Sequence, residues 1–192
     1  MKSIASAASL DTSTLNRTLL ARQFLLKRTR ASVADTLTHL VGMQAQIPAS
    51  PYVGLWSRLA KFEHGELSDL ISSRAAVRTA LMRNTLHLVT ADDCLSIRPV
   101  VQRLLARPYR KSDPARLAAI VAAGRAIVDA EPRTNVEIGR LLSRQFSGYD
   151  PIALGYVIRD NVALVQIPPR GLWGASCKPI LVSAESWVRC TI

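Results

Sequence analysis

A mainly α-helical chain carrying small β-hairpins is the fold this sequence predicts, and three observations predict it. Apolar residues, mostly Leu, Val, Ile and Ala, recur at helical spacing through most of the 192 residues, while aromatics make up only 5%. The period changes over V-R-T-A-L-M-R-N-T-L-H-L-V, residues 77–89, which is dense in Val, Thr and Leu and partly alternating. The same order of helices and then strands returns in the second half.

Residues 1–13 are small and polar, and are expected to be a disordered N-terminus without the apolar core of a signal peptide. Leu15, Leu19, Leu20 and Phe24 then form the stripe of a first helix that ends in a basic run around Lys27 to Arg30. Ser32 with Asp35 three residues on resembles a capping box, and Val33, Leu37, Leu40 and Val41 carry the second helix toward Gln44. Pro48 removes a donor and pushes Ile47 away from the α region, so this helix is expected to end near Gln46. Ser50 and Pro51 read as an N-cap and a first-turn proline for a third helix on Tyr52, Leu55, Trp56 and Leu59, with Ser57, Arg58 and Lys61 on the opposite face. A shorter helix follows around Leu67, Leu70 and Ile71. Residues 77–89 read as two strands with a tight turn at Arg83-Asn84, because Asn tolerates the left-handed conformation. Three helices and a hairpin in this order describe a winged-helix module.

Thr90 and Asp93 cap another helix through Ile97, Val101, Leu104 and Leu105, which Pro99 is expected to bend. Arg103, Arg107, Arg110, Lys111 and Arg116 cluster around Pro108 and Pro114, marking a boundary between a first module at 14–106 and a second at 107–176. In the second, Asp113-Pro114 opens a helix on Leu117, Ile120, Val121, Gly124, Ile127 and Val128. Thr134-x-x-Glu137 caps the next, and Asp150-Pro151 opens a third. Residues 164–174 then read as strand, turn, strand with Arg170 at the tip. The expectation is two winged-helix modules in tandem, with 177–192 as a linker or the start of an incomplete third.

The formal charge of +11 and a pI near 10.4 suit either a soluble basic surface or a polyanion partner, and helix-turn-helix patterning favours nucleic acid. Cys94, Cys177 and Cys190 form no C-x-x-C, and His39, His64 and His87 share no ligand spacing. Neither a zinc site nor a disulfide framework is encoded, no cofactor is implied, and a reducing cytoplasm is the expected compartment. No stretch approaches membrane-spanning length.

Candidate chemistry concentrates at Gln44-Ala45-Gln46. Two residues apart, the glutamines diverge on a helix and converge on an extended segment. They either cap the C-terminus of the second helix or act chemically. Cleaving an N-glycosidic bond whose base is already cationic needs no general acid. What remains is to place a water at the sugar carbon and favour the charge developing there, which amide oxygens can do. On the hairpin, Arg83, Thr85 and His87 share one parity and are expected to face one way, toward phosphates or a reacting nucleotide. The carboxylates Asp35, Asp92, Asp93, Glu137 and Asp150 sit where helix first turns want negative charge, and none pairs as acid and base.

The stretches L-N-R-x-L-L-A-R-Q, L-V-G-M-Q-A-Q-I-P, P-Y-V-G-L-W-S-R-L, R-N-T-L-H-L-V and V-Q-I-P-P-R-G-L-W-G together resemble the winged-helix DNA glycosylases of the AlkZ/YcaQ type, over about residues 14 to 187. The resemblance implies a bacterial, monofunctional enzyme without metal or cofactor. Such an enzyme removes N7-alkylated purines from double-stranded DNA and unhooks interstrand crosslinks, as a cytoplasmic, nucleoid-associated monomer. The family's signature of Gln, a hydrophobic residue, then Gln or Asp falls on Gln44, Ala45 and Gln46. DNA contacts are expected from Arg58, Arg83, Thr85, His87 and Arg170. The family's third winged helix and β-barrel would follow where this sequence ends. A non-catalytic winged-helix DNA binder is the alternative, and a third reading has the remaining half encoded downstream of Ile192.

Overall fold

The computed structural model describes residues 10–189. It is mainly helical with one small antiparallel sheet. Helix α1 (Thr12–Arg22) is capped by Asp11, which accepts from the Thr14 N–H at 2.6 Å, so residues 12 and 13 are helical instead of disordered. Residues 1–9 of that expectation, and Cys190, lie outside the described residues. The predicted stripe of α1 is not buried: Leu15, Leu19 and Leu20 are all exposed. Helix α2 (Val33–Leu40) starts at Ser32, whose Oγ accepts from the Asp35 N–H, as the capping pattern predicts.

The end of α2 differs from expectation. It stops at Leu40, before both glutamines, with Val41 left-handed and Gly42 at φ 90°. Gly42 lies so close to strand β3 (Leu86–Thr90) that a Cβ there would fall 2.4 Å from Val89 Cγ1 and 2.9 Å from Leu88 O. Glycine, not Pro48, turns the chain from helix into the short strand β1 (Met43–Gln44). Helix α3 (Ser50–Trp56) begins at Ser50 itself, which therefore does not cap it, and Trp56 points outward, whereas Tyr52 and Leu55 are buried. Helix α4 (His64–Ser72) has a reciprocal Glu63–Glu66 capping box.

Strands β2 (Ala76–Ala80) and β3 form the expected hairpin, and Arg83 and Asn84 are both left-handed at its turn. Helix α5 (Ala91–Leu105) is capped by Thr90. Helices α6 (Pro114–Ala130), α7 (Asn135–Gln145) and α8 (Pro151–Asn161) open at Asp113, at the Thr134–Glu137 box and at Asp150, as predicted.

The second hairpin is corrected. Strand β4 (Leu164–Gln166) pairs with β2 on one side and with β5 (Leu181–Ser183) on the other, giving the order β1-β3-β2-β4-β5. Pro168 and Pro169 have no N–H to donate, so the ladder cannot continue through them. Residues after them cross to the first half instead: Leu172 packs on its core, Tyr52 Oη donates to Gly171 O at 2.8 Å, and His64 stacks on Trp173 with centroids 3.8 Å apart. Of residues 177–192, expected as a linker or third module, the described part supplies β5 and helix α9 (Ala184–Arg189).

Alternation along the strands divides the core. One sheet face carries Ala76, Leu88, Leu164 and Leu181, with α2, α3 and α4 over the first pair and α6, α7 and α8 over the second. The other face carries Val77, Val89, Val165 and Val182 under α5 and α9. The sheet therefore runs unbroken across the 106/107 boundary.

Candidate functional site

Strand β1 is an edge strand, antiparallel to β3 with Met43 opposite Leu88 and Gln44 opposite His87. The Ala45 N–H extends the ladder, donating to Leu86 O at 2.7 Å. The strand ends at Gln44 and Gln46 lies in a bend: Ala45 is fully buried, while Gln44 and Gln46 on either side of it are exposed. Neither amide caps α2, because the Val41 and Gly42 N–H groups close that helix onto Leu37 O and Thr38 O. Gln46 Oε1 accepts from the Leu86 N–H at 3.3 Å, which orients the amide and leaves a second lone pair on that oxygen.

Beneath the motif lies a residue that sequence reasoning missed. Arg78 is 1% exposed in the middle of β2, and its Nη2 donates to Ala45 O at 2.6 Å while Nη1 donates to Gln166 Oε1 at 2.8 Å. Burial, reinforced by Arg170, lowers its pKa to about 10, against smaller opposing effects of Tyr52 and Cys177. The available signal was a lone arginine inside Ala-Val-Arg-Thr-Ala.

Gln44 lines a cleft of about 750 Å³ between α1, the end of α2 and the β2–β3 turn, together with Arg22, Arg58 and Arg83. Two predicted DNA-contact residues, Arg58 and Arg83, therefore converge on one of the predicted catalytic glutamines. Arg83 is exposed at the turn. Arg58 is half-buried: it donates to Gly54 O at 2.9 Å and to Gln23 Oε1 at 3.3 Å, and burial lowers its pKa. His39 forms part of the wall, stacked on Phe24 and 2.7 Å from Arg22 O.

The other three predicted contacts are not brought there. Arg83, Thr85 and His87 share no face, because Arg83 and Thr85 lie in the turn, where strand alternation does not hold, and the strand begins at Leu86. Thr85 Oγ1 donates back to Met82 O, and His87 is 4% exposed, with Nδ1 3.0 Å from Thr85 O. Arg170 is half-buried in the crossing loop, where Nη1 donates to Cys177 O and Nε has no partner among the described residues. It sits at no hairpin tip.

Among the described residues no helix is long and apolar enough to cross a membrane, and no group of three or more His, Cys, Asp and Glu is placed to hold a metal ion. A search of curated proteins found no match. Among solved structures, the chain is similar to the Streptomyces sahachiroi DNA glycosylase AlkZ, with 21% identity and a TM-score of 0.67. That match covers 90% of this chain and 49% of the other, so this chain spans about half the length of the solved relative. A family model described as "DNA glycosylase AlkZ-like" matches residues 37–190, which include both glutamines, Arg78 and all five strands. The chain belongs to the AlkZ-like DNA glycosylase family.

Proposed function

We propose that this protein excises alkylated purines, N7-alkylated ones among them, from double-stranded DNA and unhooks alkylation crosslinks, with Gln44 and Gln46 as the catalytic pair. The observation that carries this is the pair of exposed glutamines flanking buried Ala45, with Gln44 opening onto a cleft with three arginines. An alkylated purine leaves as a neutral base, so the protein has only to place water and complement a cation forming on the sugar. Amide oxygens held by a strand edge suit that task. Arg22, Arg58 and Arg83 would hold the flanking phosphates. On this reading the two halves are winged-helix modules, α2–α4 with β2 and β3 and α6–α8 with β4 and β5, that share one sheet. On the same reading the protein works as a cytoplasmic, DNA-bound monomer, with the DNA partner supported by family membership.

The test is excision from duplex carrying N7-methylguanine, with abasic sites counted. Gln44→Ala and Gln46→Ala should each cut excision by roughly 10²-fold, the scale of losing one pre-organised polar group, with DNA affinity nearly unchanged. Full activity in both variants would overturn the assignment. No excision by wild type, with duplex binding retained, would favour the non-catalytic binder.

A further inference from the structure

Two consecutive residues of the β2–β3 turn are left-handed, Arg83 at φ 57° and Asn84 at φ 55°. Asparagine tolerates that conformation, but arginine is strained in it, and strain of this kind persists only where the surroundings impose it. Bonds within the turn, from the Asn84 N–H to Leu81 O and from the Thr85 N–H to Met82 O, both at 3.2 Å, close the loop. They do not fix where the loop lies against the rest of the molecule. Arg83 is exposed and forms no ion pair among the described residues, so the placement of the turn decides where its charge stands in the cleft beside Gln44.

The hold comes from the other half of the chain. Asn84 Nδ2 donates to Asp160 Oδ1 at 3.4 Å, across 76 residues of sequence. Asp160 lies in the last turn of α8, is 4% exposed, and joins several elements. Its Oδ2 accepts from Tyr109 Oη at 3.0 Å, Oδ1 also accepts from Arg159 Nε at 2.9 Å, and its backbone O accepts from Gln102 Nε2 at 2.9 Å. Helix α5, the single turn Arg107–Tyr109 after it and α8 therefore fix this carboxylate. Asn84 carries that rigidity to the β2–β3 turn.

We propose that Asp160 is a positioning residue for the candidate site, acting through Asn84 to hold the β2–β3 turn so that Arg83 is already placed for a DNA phosphate beside Gln44. A charge held in place before binding spares the cost of ordering it on association. The proposal rests on the glycosylase reading for Arg83 as a phosphate contact. It gives the second half of the chain a hold on a cleft built by the first.

Fluorescence anisotropy on an unmodified duplex over a salt series tests it. Asn84 is exposed, and Asn84→Gly keeps the left-handed turn while removing the side-chain bond. Binding should weaken about threefold to tenfold, the scale of ordering one long side chain, with salt slope and melting temperature near wild type because every charge is still present. Arg83→Ala should flatten the slope by about 0.9, and Asn84→Gly should add no further loss in that background, as one residue acting through another requires. Asp160→Asn keeps Oδ1 for Asn84 and Arg159 and turns its NH2 to Tyr109 Oη, which can accept, so it should bind as wild type. Asp160→Ala should match Asn84→Gly where a cooperative melt shows it folded, and otherwise the remaining variants decide. Wild-type binding in Asn84→Gly or in Arg83→Ala, additive losses from the two, or Asp160→Asn as weak as Asn84→Gly overturns the positioning role. Abasic-site counts on N7-methylguanine duplex separate the two readings. The expected binding pattern without wild-type excision sinks the glycosylase reading and leaves Asp160 its role. Wild-type excision with additive binding losses sinks that role and leaves the glycosylase reading standing.

Discussion

Burying a guanidinium is costly unless its donors are met, and Arg78 meets only part of its need: Nη1 and Nη2 are bonded, while Nε has no partner among the described residues. Its two acceptors lie far apart in sequence, Ala45 O 33 residues away and Gln166 Oε1 88 residues away. The planar fork therefore ties the glutamine motif to the second half of the chain. Arg78→Met should lower stability by about 1–3 kcal/mol in urea unfolding, because both acceptors are left without a donor. Arg78→Lys keeps the charge but cannot bridge two acceptors in one plane. Single-turnover excision should fall in the Lys variant by more than the folded fraction explains, with KM little moved. If excision instead tracks folded protein alone, Arg78 only supports the fold.

At the scale of elements, the α2–β1 junction decides where the glutamines go. Gly42 serves it twice, through a φ of 90° and through its approach to β3. Gly42→Ala should cost roughly 1–3 kcal/mol, the scale of a strained backbone position, read as a lower melting temperature with a normal helical circular dichroism signal. Wild-type stability would mean the junction has another way to turn. The crossing loop invites a different expectation. Arg170 is occupied with Cys177 O, so Arg170→Ala should lower stability without changing the salt dependence of DNA binding. A salt slope flattened in that variant would return Arg170 to the DNA face. The starts of α2, α5, α6, α7 and α8 were legible because Ser32, Thr90, Asp113, Thr134 and Asp150 act within three residues of themselves, whereas the start of α1 at Asp11 was read as disorder. The end of α2 was misread because Pro48 looked like the stop, although Gly42 carries the ordinary glycine signal for a helix end.

For the whole molecule, a charge of +11 sets the expectation that duplex DNA binds with weak sequence preference and steep salt dependence, by counterion release. On the reading proposed above, the contact falls on the arginine cleft. Replacing Arg22, Arg58 and Arg83 with Ala should flatten the slope of log K against log salt by about 0.9 for each phosphate that is no longer neutralised. Fluorescence anisotropy over a salt series reads it. A slope equal to wild type would move the DNA off this cleft.

By itself the sequence determined the helical class, the starts of α2, α5, α6, α7 and α8, the first hairpin and the catalytic candidates at Gln44 and Gln46, since each rests on residues within a few positions of one another. Tertiary structure alone decided the rest. Pairing of β4 with β2 joins strands some 88 residues apart, which no local period encodes. That pairing buries Arg78, stands Gln166 beside Gln46 and draws the Pro168–Pro169 segment onto the first half. His87 was misplaced for the same reason. Its parity with Arg83 and Thr85 failed because both lie in the turn, and that its sheet face is covered by α5 is settled only when the helices pack.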